Sequence, residues 1–192
     1  IEITKPITYE FIKGTWGQKI FLTQLSILMI SNLLSNYHNN LIIAPATLFL
    51  FAITVYLKRK IMKETSVFEF VVLGIYFMIG VLSIFIPYIN ELKDAKYTLS
   101  IFTLYFIVTW FINVPTAFSY IKFDYRTEYT RTKLFKKMSG GLTFIWGVTF
   151  FVLTIADFTI IKSYASLFYY MLPLSLYLSF FYPSSYIKGY ID

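Results

Sequence analysis

Residues 122–161 read KFDYRTEYTRTKLFKKMSGGLTFIWGVTFFVLTIADFTII. A basic, tyrosine-bearing connection runs through Gly140 and Gly141 into an apolar stretch that carries Trp146, Gly147 and, near its far end, Asp157. Six of the chain's 17 Lys and Arg residues lie in this one connection: Lys122, Arg126, Arg131, Lys133, Lys136 and Lys137. Basic residues massed beside an apolar run are the mark of a connection held on the cytoplasmic side of a membrane.

The rest of the chain agrees with that start. Of 192 residues, 57% are hydrophobic and 14% charged, and the mean hydropathy is +0.64. Soluble domains carry about 25% charged residues, so the composition belongs to the membrane class. The net charge of +7 does not point to nucleic acid, because the basic residues sit in short connections between apolar runs. There is no cysteine, which excludes disulfides and thiolate-held metals. A single histidine, His38, excludes a multi-histidine metal site or a bis-His haem within the chain. No cofactor is expected.

Six apolar segments follow residues 1–19, at about 20–35, 41–57, 67–89, 97–121, 141–161 and 164–182. A bilayer core of about 30 Å needs roughly 20 helical residues. The last four segments meet that length. The first two are short and are joined by the tight turn Asn36–Asn40. No small-residue cleavage site follows the first, which reads as a retained span and not as a signal peptide. Pro6 predicts a short surface helix ahead of it. Read as six spans, the chain places 14 of its 17 Lys and Arg on one side. The positive-inside rule then puts both termini in the cytoplasm. The expected fold is a single all-α bundle of six transmembrane helices in the cell membrane.

Few residues carry chemistry. Asp157 lies inside an apolar run, where a carboxylate is costly and marks proton or cation handling. At four residues from the segment end it also reaches headgroups or Lys162. Glu69 lies one turn into the third segment, where the helix dipole favours it. It also offers a partner to the basic residues of the 122–140 connection. Pro115 is expected to kink the fourth span, with Asn113, Thr116 and Tyr120 on one face as a cavity lining or as interhelical hydrogen bonds. Gln24, Ser31 and Ser35 share a face of the first segment, and Gly140 and Gly147 are seven apart; both patterns predict close helix packing. The 122–140 connection is expected to form a cytoplasmic helix with Tyr125 and Tyr129 on one face. Tyr125, Arg126, Tyr129 and Arg131 form a candidate docking surface for a protein partner. Lys133, Lys136 and Lys137, nearest the fifth segment, are assigned to anionic lipid headgroups. Motifs of hydrolase, zincin, P-loop or dinucleotide chemistry are absent.

Three stretches carry a family resemblance. They are Ala44–Lys60, APATLFLFAITVYLKRK; the long third segment with its short turn into the fourth; and Lys133–Asp157, KLFKKMSGGLTFIWGVTFFVLTIAD. Together they resemble the intracellular septation protein A family of small inner-membrane proteins. The resemblance implies a polytopic membrane protein, typically of five spans, that acts in cell-envelope organisation without catalytic residues. The function expected is therefore non-enzymatic: an envelope-organising protein or an accessory subunit, with other membrane subunits or copies of itself as partners. The alternatives are a small-molecule transport component and an ion or proton channel using Asp157. Substrate-binding subunits of energy-coupling-factor vitamin transporters have six spans in this length, but their alanine-rich docking motif is missing from the first segment.

Overall fold

The computed structural model describes residues 14–35, 37–91, 95–158 and 164–191. Among these, all regular structure is helical. Six long helices and three short ones follow in order: α1 (Trp16–Leu34), α2 (Asn40–Met62), α3 (Val67–Phe85), α4 (Pro87–Glu91), α5 (Ala95–Phe111), α6 (Phe118–Ile121), α7 (Thr127–Thr130), α8 (Lys133–Phe158) and α9 (Tyr164–Ile191). Each long helix answers one apolar segment of the sequence. α2, α3 and residues 133–156 of α8 are long and apolar enough to cross a bilayer. The chain is thus an all-helical membrane protein. The surface helix expected around Pro6 lies outside the described residues.

α1 is the central element. It packs against α2, α5, α6 and α9, while α2 lies along α3 and α8 lies between α5 and α9. Its buried residues (Phe21, Leu25, Leu28 and Met29 with the polar Gln24, Ser31 and Asn32) form one broad face, while Thr23, Ile30 and Leu34 on the opposite side are exposed. On so broad a packed face polar side chains find partners on neighbouring helices, as interhelical hydrogen bonds require. Those groups tie the neighbours to it. Ser31 and Thr47 hydroxyls meet at 2.6 Å, and Thr98 donates to the Asn32 side-chain oxygen at 2.6 Å. Gln24, Ser31 and Ser35 are all buried, as their shared face predicts.

The fourth segment departs from expectation. α5 ends at Phe111, not near Ile121. Asn113 adopts a left-handed conformation at φ 60°, which Asn tolerates better than most residues. The Asn113 N–H bonds the Trp110 carbonyl at 3.2 Å and the Val114 N–H bonds the Thr109 carbonyl at 3.1 Å. This pair of bonds is a Schellman closure, and Pro115 just beyond it prevents continuation. Asn113, Thr116 and Tyr120 therefore do not share a helical face. Asn113 is the exposed cap, whereas Thr116 is buried and bonds Thr109 across the turn at 2.9 Å. The chain is fastened to α8 where the Ala117 N–H donates to Thr143 at 3.1 Å.

Downstream of α6, Asp124 returns to the start of α1. Thr15, at the N-cap, makes no side-chain capping bond. The Asp124 carboxylate accepts from the Gly17 and Gln18 N–H groups instead, each at 2.7 Å. A residue more than 100 positions away thus supplies the cap that the first turn of a helix requires. Gly17 makes the approach possible, since a Cβ there would collide with the Tyr120 carbonyl. Burial pushes the Asp124 carboxyl up to about 6, against the two backbone donors and Lys19, which favour the ion.

That shift has a defined sign. The folded value lies above the ordinary 3.8, so between about pH 4 and 6 the folded chain holds a proton that the unfolded chain has lost. This group's contribution to stability then falls as pH rises through that window. Thermal unfolding of the detergent-solubilised protein should show a steeper loss of stability from pH 4 to 6 in wild type than in Asp124→Asn. Equal slopes would remove Asp124 from the titration.

Candidate functional site

The third helix begins with Ser66-Val-Phe-Glu69, the spacing of a capping box. The Glu69 N–H donates to Ser66 Oγ at 3.4 Å, and the Ser66 N–H donates to Glu69 Oε2 at 2.7 Å. Local chemistry therefore fixes Glu69 in the first turn. What the box does not predict is the depth of the site: Glu69 has 0% exposure.

The charge on Glu69 is answered by Lys58 of α2. Lys58 Nζ lies 3.3 Å from Glu69 Oε2, and both side chains are 1% exposed. The ammonium also sits 4.0 Å from the centroid of the Tyr120 ring, in cation–π range. Gln24 of α1 donates through Nε2 to Glu69 Oε1 at 2.9 Å. The Tyr120 hydroxyl donates to Gln24 Oε1 at 2.6 Å and accepts from Ser66 Oγ at 3.1 Å. The result is a closed circuit through α1, α2, the α3 cap and α6. Phe21 stacks against Tyr120 at 4.9 Å between ring centroids, and Phe68 lies 5.4 Å from Tyr105 beside the circuit. Both Glu69 oxygens are occupied by donors, so the arrangement works as a clamp joining four elements.

Several expectations change here. Glu69 pairs with the end of α2 and not with the 122–140 connection. Of that connection's basic residues, Lys122 forms an ion pair, at 2.6 Å with Glu64, in a partly exposed position. Lys58 looks like one of a run of topological charges, Lys58-Arg59-Lys60, yet Arg59 and Lys60 are exposed while Lys58 is buried. A signal for it exists in the sequence. Ala44, Thr47, Phe51, Lys58 and Met62 recur at helical spacing on one face of α2, and Lys58 is the one basic residue in that register.

The docking residues also divide. The 122–140 connection is not one helix; it contains the short α7, and α8 already starts at Lys133. Tyr125 and Tyr129 do approach each other, at 5.5 Å between centroids, but around Phe135 in the core. With exposures of 9% and 6% they are not available to a partner. Desolvation raises both phenols, that of Tyr129 to about 12. Arg126, Arg131, Lys133, Lys136 and Lys137 remain exposed. Asp157 lies in the last turns of α8, but its side chain and Lys162 fall outside the described residues. Among the described residues no three His, Cys, Asp or Glu side chains converge on a point that could hold a metal.

Neither a protein-family model, nor a characterised protein, nor a solved structure matches the chain. Its functional reading therefore rests on the side chains themselves.

Removing one member of a buried ion pair leaves the other uncompensated, at a cost of about 3–5 kcal/mol. Lys58→Met and Glu69→Gln should each lower the stability of the purified protein by about that much. The double variant should fall short of the sum by about 0.5–3 kcal/mol, because the partners are coupled. Additive losses in equilibrium unfolding would show that the two charges do not act as a pair.

Proposed function

We propose that this is a non-enzymatic, multi-pass protein of the cell membrane, with six spans and both termini on the cytoplasmic side. It acts as an envelope-organising protein or as an accessory subunit of a larger membrane complex. The observation that carries this reading is the contrast between its buried and exposed charges. Lys58 and Glu69 neutralise each other inside a hydrogen-bonded circuit, so they hold helices together. Arg126, Arg131, Lys133, Lys136 and Lys137 lie exposed and outside the ion pairs found among the described residues. Charge that stabilises the fold is internal, and charge left over faces outward.

The resemblance to the septation protein A family points the same way, towards a protein without catalytic residues. With Tyr125 and Tyr129 in the core, the surface offered to a partner is cationic and not aromatic. Its natural counterparts are acidic segments of another membrane protein, of a second copy, or anionic headgroups. Six crossings bring residues 16, 62, 133 and 191 to one side and residues 34 and 40 to the other. That arrangement agrees with the concentration of Lys and Arg at the first set.

The chain has no cysteine, so single cysteines report topology without background. Asn39→Cys and Arg131→Cys are both at exposed positions. In intact cells a membrane-impermeant thiol reagent should modify position 39, and position 131 only after permeabilisation. Labelling of position 131 in intact cells would overturn the orientation.

A further inference from the structure

The exposed lysines at the start of α8 do not stand on an open surface. Lys133, Lys136 and Lys137 line a cavity of about 600 Å³ whose other wall is Trp110, Asn113 and Pro115. It continues, through the shared residues Trp110 and Phe111, into a groove of about 300 Å³ between α5 and α8. The groove is lined by Phe106, Ile107, Phe144, Gly147, Val148 and Phe151, with Thr143 the one polar residue along it. Its geometry follows from the sequence. Gly140 and Gly147, seven apart on α8, both face this side: a Cβ on Gly147 would lie 3.5 Å from that of Phe106 and one on Gly140 3.8 Å from the Trp110 ring, both ordinary contact distances. On either side the larger rings stand up as walls, with Phe144 53%, Phe151 48% and Trp110 40% exposed.

We propose that this continuous cavity and groove is a binding site for one anionic phospholipid, with its phosphate among the three lysines and an acyl chain along the groove. Length, polarity and charge each support this occupant. From Gly140 to Phe151 is eleven residues, about 16 Å at helical rise, which matches half of a hydrocarbon core of about 30 Å. The wide, basic end lies where headgroups would be, and the narrow, apolar end lies where acyl chains would be. None of the three lysines has a carboxylate partner among the described residues, so an incoming phosphate meets uncompensated charge. The positive end of the α8 dipole favours the same charge. Trp110 sits at the junction, where an indole suits the boundary between chain and headgroup.

The inference rests on the membrane reading above, but not on the orientation or on a partner. Native mass spectrometry of the detergent-purified protein, titrated with phosphatidylglycerol, phosphatidylcholine or glycerol phosphate, tests it directly. The expected result is a single-lipid adduct with phosphatidylglycerol, favoured over phosphatidylcholine by at least about tenfold, and no adduct with glycerol phosphate. Lys133→Gln/Lys136→Gln/Lys137→Gln should abolish that preference while the protein still unfolds at the wild-type temperature. Val148→Trp, placed at an exposed groove position to fill it, should weaken both lipids. Equal retention of the two lipids by wild type, or a preference that survives the triple lysine change, would overturn the site. Retention of glycerol phosphate alone would make it a phosphate site without a lipid chain, and would equally overturn the proposal. Failure here leaves the topology unaffected, since cysteine labelling reads that independently.

Discussion

Glu69 bears its carboxylate at a point without solvent access, and a carboxylate there must be met by a cation and by hydrogen-bond donors or be given up. Lys58 supplies the cation, Gln24 and the Ser66 backbone supply donors, and Tyr120 closes the circuit by holding Gln24 and covering the ammonium. These four partners come from four different elements. Satisfying one charge therefore sets the rotation of α1, the depth of α2, the start of α3 and the position of α6. A wholly apolar core of the same volume would pack these helices with equal or greater stability. The gain from the ionic version is register: a helix rotated by one residue would leave a buried charge unpaired.

The same end of the molecule depends on that register in a second way. Tyr120 belongs to the segment 112–124 that bridges α5 to α7, and Asp124, four residues on, caps α1 through Gly17 and Gln18. The clamp and the cap grip the central helix from one side, one through a side chain in its interior and one through its first turn. Beyond them the chain buries Tyr125 and Tyr129 around Phe135. That aromatic packing anchors the start of α8 and leaves its lysines facing outward.

Much of this was legible in the sequence. The six apolar segments anticipated the six long helices because helix length and hydropathy are set locally. The capping box at Ser66 and the glycine pair on α8 were readable for the same reason. The end of α5 was misplaced because apolar residues continue past Phe111; the local signal was Asn113 two residues before Pro115, a Schellman cap with its stop. Lys58, Arg59 and Lys60 form one basic run at the end of α2, and only the register of the buried face of α2 separates Lys58 from its two exposed neighbours. The polarity of Tyr125 and Tyr129 and their basic neighbours suit a surface, yet both are buried. Their burial depends on Phe135 and Phe118, brought together by tertiary contacts that no spacing in the sequence encodes. Asp124 as a cap for α1 is likewise a contact across more than 100 residues.

The burial of Lys58 is the feature from which the rest of the arrangement follows, and it can be measured without mutation. Amine acetylation of the protein in native membranes, read out residue by residue by mass spectrometry, compares Lys58 with Lys60 and Lys63, which are exposed close by in the same sequence. If Lys58 is held against Glu69, it should stay unmodified while Lys60 and Lys63 react fully, and it should react only after the protein is unfolded. Modification of Lys58 at the rate of its two neighbours would contradict the buried ion pair and the helix register built on it.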